Sequence, residues 1–379
     1  MSARRSNGLG IATRVFGSQW FVSVLAVLIA FAIGAILIAL SGASVVDAYY
    51  AMFRGSIVDP NAANVVRMIK PLTDSLFYSI PLIISGLGLA LGFRAGLFNI
   101  GGKGQIIVGA LAAVWLGFAV SLPPVLHTLV ALLVAVIAGG LYGGIAGVLK
   151  AKTGANEVIV TIMLNSIATL GLGYTLTQKA WQVPGTNQPV TPKVAESAAL
   201  ARLLPAPFKL HAGFLVALVA LVAFWWLIER STLGFQIRAV GANAAAARTA
   251  GISVERITAI TMVLSGAFLG LAGANEALGT IGYVSRDVAG SIGFDAITVA
   301  LLGRNKTWGT FGAGLLFGAF KAGGYTMQAK GVPIDMILIL QSVIVLLIAA
   351  PALVRWLFRL PDVRALAANT RKGNADEHK

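Results

Sequence analysis

The stretch from Leu126 to Leu149 reads LHTLVALLVAVIAGGLYGGIAGVL and contains no Asp, Glu, Lys or Arg. A helix that crosses a bilayer needs about 20 mostly apolar residues, and this stretch supplies them without a break. A helix also pairs its own backbone groups, as the lipid core requires. The stretch therefore predicts a transmembrane helix, and with it an all-α membrane protein.

Apolar runs of similar length recur along the chain and predict a polytopic protein with about ten transmembrane helices. The predicted spans are 20–41, 72–92, 106–121, 126–149, 157–178, 212–228, 256–279, 288–303, 308–328 and 334–354. The third, sixth and eighth are short, so each is a candidate for a broken or partly re-entrant helix. The first span follows a basic segment but exceeds the roughly 7–15 apolar residues of a signal peptide, which favours a retained helix.

The composition supports this class of protein. Of the 379 residues, 57% are hydrophobic and 11% are charged, whereas a soluble domain carries about 25% charged residues. These figures exclude a soluble globular enzyme and a disordered chain. Cysteine is absent, which excludes a disulfide framework. The net charge of +15 points to basic loops at a membrane surface and not to nucleic acid.

The distribution of basic residues predicts the orientation. With both termini inside (N-in/C-in), about two-thirds of the 29 Lys and Arg residues fall on the cytoplasmic side, as the positive-inside rule requires. The predicted domains are a cytoplasmic segment at 1–19, a transmembrane domain at 20–354 and a cytoplasmic tail at 355–379. Within the transmembrane domain, an external proline-rich loop covers 179–211 and a cytoplasmic loop covers 229–255.

The sequence contains no pattern for enzymatic chemistry. The three histidines are far apart, and no His, Cys or carboxylate cluster has metal-ligand spacing. The segment Gly101-Gly102-Lys103-Gly104 lacks the Gly and the Ser or Thr that a Walker A loop needs at defined positions. We therefore expect no metal and no cofactor on this chain, and any ATP hydrolysis on a separate subunit.

Two polar segments interrupt the apolar runs. Asn99 to Gln105 reads NIGGKGQ, and its three glycines disfavour a continuous helix. The segment is either a cytoplasmic turn or a helix break beside a translocation path, as in other transporters. Glu157, Thr161 and Asn165 recur at i, i+4 and i+8, which places them along one helix face. This stripe is either an interhelical hydrogen-bonding seam or part of a path lining.

The predicted translocation path combines these two segments. Its residues are Asn99, Lys103, Gln105, Glu157, Thr161 and Asn165.

Two opposite charges lie inside predicted spans. Glu276 and Lys321 would each cost at least about 2.5–3.5 kcal/mol if left unpaired in the membrane. We predict that they form an intramembrane charge pair, with a substrate or ion-relay role as the alternative.

The loop after the sixth span has its own helix signals. Asn243 is a good N-cap, the four alanines that follow favour helix, and Gly251 suits a helix end. They predict a helix of about eight residues, roughly 12 Å long. It is either a surface helix that ties two spans together or a docking helix for a soluble partner. The residues predicted to couple to an ATPase are Arg238, Gly241, Asn243, Arg248 and Gly251.

Three segments resemble a known family. The run from Gly96 to Gln105 resembles the Phe-Asn-Ile-Gly-x-Glu-Gly-Gln motif of permeases of the branched-chain amino acid, ribose and nucleoside group of ABC importers. Residues 156–165 are similar to the Asn-Glu-Val-Ile…Met-Leu-Asn stretch of its nucleoside and simple-sugar branch, and residues 234–252 resemble the group's cytoplasmic coupling loop. Lys103 departs from the motif, because nucleoside-type members usually carry Glu there.

The resemblance implies a permease subunit of an ATP-binding-cassette importer, embedded in the bacterial inner membrane. It also implies three kinds of partner: a second, paralogous permease, two cytoplasmic ATPase subunits that use ATP, and an external substrate-binding lipoprotein. Nucleosides are the leading substrate, followed by simple sugars and branched-chain amino acids. The rival from another class is a secondary transporter driven by an ion gradient, in which Glu276 and Lys321 form a relay.

Overall fold

The computed structural model describes most of the chain. The described residues are 19–329, 331–333, 336, 338–339, 342–343 and 346–347. Among them the secondary structure is helical, with an isolated antiparallel bridge between Arg202 and His211 and no strand. The all-α prediction is confirmed for these residues. Outside the description lie nearly all of the predicted segment 1–19, most of the tenth span 334–354, and the tail 355–379.

The chain divides into two compact units, residues 52–323 and residues 1–51 with 324–379. In the second unit, α1 is Gln19–Leu40 and α2, which begins there, is Val45–Ser56. The hydroxyl of Tyr49 donates a hydrogen bond to the carbonyl of Phe31, and the two rings meet edge to face.

The remaining helices belong mainly to the larger unit. They are α3 (Val65–Arg94), α4 (Gly102–Ala119), α5 (Leu126–Thr153), α6 (Glu157–Thr175), α7 (Gly213–Trp225), α8 (Thr232–Ala242), α9 (Ala244–Thr249), α10 (Val254–Asn275), α11 (Ile292–Leu302) and α12 (Thr307–Gln328). A 3₁₀ turn, Lys179–Trp181, lies in the long loop. Two π-helical turns, Trp226–Arg230 and Glu276–Ile281, extend α7 and α10.

Six helices in the described part of the chain are long and apolar enough to cross a membrane, so the predicted count of ten is not confirmed. The six are α3 to α7 and α10, which match the second to seventh predicted spans. The eighth predicted span, 288–303, contains only the 11 residues of α11. At 1.5 Å per residue α11 is about 16 Å long, too short to cross about 30 Å of hydrocarbon. Two helices, α2 and α8, were not predicted.

The core of the larger unit is a glycine-lined contact between α5 and α10. A Cβ atom on Gly266 would lie 2.3 Å from the carbonyl oxygen of Gly139, and one on Gly270 would lie 2.3 Å from that of Ala135. On α4, a Cβ on Gly109 would lie 2.4 Å from the Cα of Gly270. Small residues let helix backbones approach closely, and this contact stabilises helix pairs in membranes.

The loop at 179–211 covers one end of this core. Its backbone amides donate to the ends of neighbouring helices: Ala195 to the carbonyl of Gly117 (2.9 Å) and Leu200 to that of Leu278 (3.1 Å). Beneath it, a ring nitrogen of the buried His127 lies 2.9 Å from the hydroxyl of Ser197. The segment therefore caps α4, α5 and the π turn after α10.

Candidate translocation and coupling sites

The chain is not helical between α3 and α4, from Ala95 to Gly101. The second residue of this segment, Gly96, lies in the left-handed region (φ +73°), a conformation that glycine adopts readily. Within it, the Asn99 amide donates to the hydroxyl of Ser265 (2.9 Å). Ser265 lies 11 residues beyond the start of α10 at Val254, or about 16 Å along the helix. The break therefore contacts α10 inside the helix bundle, about three turns from the start of that helix.

Asn99 and Gln105 pair with each other across this break. The Asn99 amide donates to Oε1 of Gln105 (3.0 Å), and the Gln105 amide donates to Oδ1 of Asn99 (3.2 Å). Oδ1 of Asn99 also accepts the backbone N–H of Gly101 (2.9 Å). Both side chains are 1% exposed. The pair is sealed from solvent in this conformation, and its polar atoms are used within the protein.

The polar stripe on α6 binds the backbone of the same segment. Thr161 accepts the N–H of Ile100 (3.3 Å). The Asn165 amide donates to the Ile100 carbonyl (2.9 Å), and its oxygen accepts the N–H of Gly104 (2.8 Å). Glu157 lies 3.4 Å from the N–H of Phe98. The three side chains therefore share one helix face, as their spacing indicates.

This arrangement supplies the unwound segment with hydrogen-bond partners inside the helix bundle. Irregular backbone at membrane depth needs protein partners for its N–H and C=O groups. The α6 stripe and Asn99 supply those partners. Glu157 in addition forms an ion pair with Lys150, 2.6 Å long. It connects the surface end of α6 to the end of α5.

Lys103 follows the break in the first turn of α4, and its side chain is half-buried. Among the described residues it has no hydrogen bond or ion pair. Its backbone packs on α11, where a Cβ on Gly293 would lie 2.6 Å from the Lys103 amide nitrogen. The N-termini of α4 and α11 therefore lie side by side, and each follows an interruption in a helix.

The second interruption, between the π turn after α10 and the start of α11, is flanked by charged residues of the π turn, α11 and α12. The structure does not form the predicted Glu276–Lys321 ion pair, because no nitrogen–oxygen distance between them is within 4.0 Å. Lys321 instead lies close enough for its charge to act on both Glu276 and Asp295. Asp295 also accepts a hydrogen bond from Ser291 (2.6 Å). The charge pair therefore stays a prediction, and α11 adds a second carboxyl group, Asp295, to the surroundings of Lys321.

The loop after α7 folds into two short helices. Asn243 begins α9, since its side chain accepts the N–H of Ala246 (3.0 Å), and Gly251 ends the turn at φ +83°. Both helix-end signals are found as predicted, but α9 has six residues and not eight. Arg248 forms an ion pair with Glu255 at the start of α10. Arg238 lies on α8 and is half-buried.

Backbone contact ties α8 to the end of α3. A Cβ on Gly241 would lie 2.0 Å from the Arg94 carbonyl oxygen, so only glycine permits this approach. The Arg94 side chain donates to the carbonyl of Asn305 (2.8 Å) and lies 3.8 Å from the Glu229 carboxylate. Movement of α8 would therefore act on the end of α3. The unwound segment follows that end directly in the chain.

A groove of about 550 Å³ lies between α8 and α9. Its walls include Phe235, Ala239, Ala246 and Ile252. Phe235 is 60% exposed.

Residues 72–349 match the model of a protein family described as the permease component of the branched-chain amino acid transport system. This match covers more than half of the chain. The chain belongs to this family of permeases. The permease is accordingly a multi-pass membrane protein and a transport subunit of the ABC importer type, as the resemblance implied.

Three curated relatives resemble the permease over most of its length. The guanosine ABC transporter permease protein NupP of Bacillus subtilis is 40% identical over 349 residues, 89% of this chain and 95% of the relative. The glucose ABC transporter permease protein TsgB13 of Haloferax volcanii is 35% identical over 85% of each chain. The nucleoside ABC transporter permease protein NupB of Lactococcus lactis is 31% identical over 92% of this chain and 95% of the relative. No solved structure matches the permease.

Sequence patterns did not reveal a buried polar group at the start of α7. His211 is 1% exposed, and its Nδ1 accepts the N–H of Gly213 (3.1 Å). The Asn275 amide donates to the Gly213 carbonyl (3.2 Å). Burial lowers the pKa of His211 to about 4, so the imidazole is neutral at physiological pH. Its position just before an apolar span was the available signal. Its connection to Asn275 on α10 runs through the backbone of Gly213, which binds both side chains.

Proposed function

We propose that the permease forms half of the translocation path of an ATP-driven importer of nucleosides. The observation that carries the proposal is the unwound segment from Ala95 to Gly101, whose backbone is paired by side chains inside the helix bundle. Interrupted helices of this kind occur at the substrate sites of transporters. The substrate class rests on similarity to a guanosine permease and a nucleoside permease. Simple sugars are the second candidate, because a glucose permease is also similar.

The unwound segment and the α6 stripe border the proposed path. Lys103, Glu157 and Asn165 are half-buried and therefore present surface to a solute. Asn99, Gln105 and Thr161 are sealed, and in this proposal they anchor the segment and reach the path only when it moves. Lys103 sets a positive charge where the related motif carries Glu, so the role of that Glu is not transferred to it.

The α8–α9 segment is the proposed coupling element. ATP binds to separate subunits, which close on the groove at Phe235 and displace α8. The contact of Gly241 with Arg94 passes this movement to α3 and to the unwound segment. Arg238, Asn243, Arg248 and Gly251 shape and position the two short helices. No cofactor is assigned to this chain.

The proposed assembly contains a second, paralogous permease, two ATPase subunits and an external substrate-binding lipoprotein. It lies in a bacterial inner membrane with both termini in the cytoplasm. The contacts among Arg94, Glu229, Gly241 and Asn305 support this orientation. They gather four chain segments at one surface where basic residues concentrate, as the positive-inside rule predicts for the cytoplasmic face.

Transport in proteoliposomes tests the function. The complete assembly should take up labelled guanosine with ATP inside, and unlabelled nucleosides should compete better than glucose or leucine. A non-hydrolysable ATP analogue should abolish uptake. Competition by glucose alone would move the substrate to the sugar class. Uptake by the permease alone, driven only by an ion gradient, would favour the secondary transporter, with the cluster at Glu276 and Lys321 as its relay.

A matched pair of variants tests the coupling element. Ala246→Trp fills the groove between α8 and α9, while Lys152→Trp places the same side chain at the exposed end of α5, outside the groove. We expect Ala246→Trp to abolish nucleoside uptake while the permease stays in the membrane, and Lys152→Trp to leave uptake near the original rate. Equal uptake by both variants would contradict the assignment of the groove.

A further inference from the structure

A second, larger groove opens between α5, α7 and α10 on the outer surface of the helix bundle. Its volume is about 1220 Å³, above the roughly 300–1,000 Å³ of most small-molecule pockets. Leu132, Val216, Phe268 and Leu271 form its floor and walls. Val219 lies at its edge and is 68% exposed. An apolar surface of this size needs a cover.

The depth of the groove corresponds to one leaflet of a bilayer. On α5 it extends from Thr128 to Val136, and on α7 from Leu215 to Ala223. Each stretch has nine residues, so its two ends are about 12 Å apart at 1.5 Å per residue. A bilayer core of about 30 Å has leaflets of about 15 Å. The groove therefore runs from one membrane surface to near the midplane and stops there.

The far end of α7 marks the opposite membrane surface, so the length of this segment gives a measure of how deep the groove is. Trp225 and Trp226 lie there, and the guanidinium of Arg230 is 5.3 Å from the Trp225 ring. Tryptophan and arginine are typical of the interface between lipid and water. From Gly213 to Arg230 the segment has 18 residues, about 27 Å, and the groove occupies the half of it nearest the capping loop.

The mouth of the groove, at the capping loop, holds its charged residues. Glu196 and Arg202 both line the mouth, with Ser197 and Thr128 beside them. Within the described part of the chain, the side chains of Glu196 and Arg202 form no hydrogen bond or ion pair with each other or with another residue. Below the mouth all lining side chains are apolar. The groove thus combines one anionic and one cationic group at the surface with an apolar channel inside the membrane.

We propose that this groove binds a phospholipid of the adjacent leaflet. One acyl chain lies along α5 and α7, the phosphate contacts Arg202, and the ammonium of an ethanolamine headgroup faces Glu196. A transmembrane helix of a partner would cover the full thickness of about 30 Å, and the groove ends at half of it. A nucleoside would find no hydrogen-bonding partner below the mouth. The proposal is therefore independent of the proposed transport function.

Photolabelling of the complete transporter in lipid nanodiscs tests the proposal. The probe is phosphatidylethanolamine with a photoactivatable group on one acyl chain, and peptides are identified by mass spectrometry. We expect the label in 124–136, 196–202, 212–223 and 264–271. Arg202→Glu should reduce it at least about fivefold, the effect of one basic residue on lipid binding. Lys193→Glu, an exposed residue of the same loop outside the groove, should leave it unchanged.

A second pair of variants tests lipid binding in the groove without changing any charged residue. Leu215→Trp narrows the groove, whereas Leu170→Trp places the same ring on the exposed face of α6. Only Leu215→Trp should lower the labelling. Two results would overturn the proposed site. One is labelling of α6 and the groove to the same extent, and the other is labelling of the groove that neither Arg202→Glu nor Leu215→Trp reduces.

The choice of occupant has its own readouts. Stronger labelling by phosphatidylglycerol than by phosphatidylethanolamine would overturn the headgroup assignment. A photoreactive amino acid at position 215 should form adducts with lipid. Adducts with a partner subunit instead would show that protein covers the groove.

Discussion

Two interruptions of the helical bundle lie side by side, and they are built differently. The segment from Ala95 to Gly101 is held by neutral amides and hydroxyls, and its buried side chains have partners. The interruption before α11 is instead flanked by three ionisable residues, Glu276, Asp295 and Lys321, which form no ion pair with one another within 4.0 Å. The two meet where Gly293 packs on Lys103.

The difference concerns how each interruption responds to its surroundings. Neutral hydrogen bonds of fixed geometry hold one backbone path, because each broken bond leaves a buried group unsatisfied. Charges that are near but not in contact are stabilised through the electrostatic field, which changes when helices move or water enters. We infer that the first interruption is a brace and that the second is the more adjustable of the two.

The largest expected effect comes from the contact between them. In Gly293→Leu the new side chain would begin 2.6 Å from the Lys103 backbone, and backbone cannot yield as a side chain does. We expect a loss of about 3 kcal/mol or more in the free energy of unfolding, measured by SDS titration of the purified permease. Gly171→Leu is the control, because nothing lies within 4 Å of its added Cβ. Equal free energies of unfolding for the two variants would show that the contact between Gly293 and Lys103 does not stabilise the permease.

The next prediction concerns the sign of the charge in the cluster. Lys321→Met leaves two carboxylates without their shared cation, so we expect a loss of about 2.5 kcal/mol. Asp295→Asn keeps one charge of each sign and should change the free energy of unfolding by less than about 1 kcal/mol. The same titration measures both variants. If Asp295→Asn proved the more damaging of the two, Lys321 would not be the centre of the cluster.

If the unwound segment is a brace, the losses of stability caused by replacing the Asn99 and Gln105 amides should be coupled. Asn99→Leu leaves the Gln105 amide, the Ser265 hydroxyl and the Gly101 N–H without a partner, and we expect a loss of about 2 kcal/mol. In the double variant Asn99→Leu/Gln105→Leu the loss should be smaller than the sum of the single losses. A double-mutant cycle measures this coupling. Strict additivity would show that the two amides do not act as a pair.

The smallest effect tests single hydrogen bonds on α6. Thr161→Val removes the acceptor for the Ile100 N–H while it preserves shape, so a loss of about 1 kcal/mol is expected. Thr169→Val changes an exposed threonine two turns along the same helix, which bonds only its own helix backbone. It should lie within about 0.5 kcal/mol of the original protein. Thermal unfolding in detergent distinguishes the two, and identical midpoints would contradict the bracing role of Thr161.

Local sequence signals accounted for a good part of these features. The spacing of Glu157, Thr161 and Asn165 placed them on one face, and Asn243 and Gly251 marked the ends of α9. The ten-span count is not confirmed, because length and hydropathy do not distinguish a half-length helix such as α11 from a short span. Gly139 and Gly143, like Gly266 and Gly270, are four positions apart. This is the small-residue pattern of close helix contacts, and it indicates the contact of α5 with α10.

The sequence by itself determined the membrane class, most helices and their ends, because helix formation, capping and span length depend on residues within one or two turns. The tertiary structure decided the contact of Asn99 with α10, the partners of the α6 stripe, the third member of the charge cluster and the groove at Arg202. Each of these joins residues that are far apart along the chain. Their meeting depends on which helices pack against which, and local periodicity carries no information about that choice.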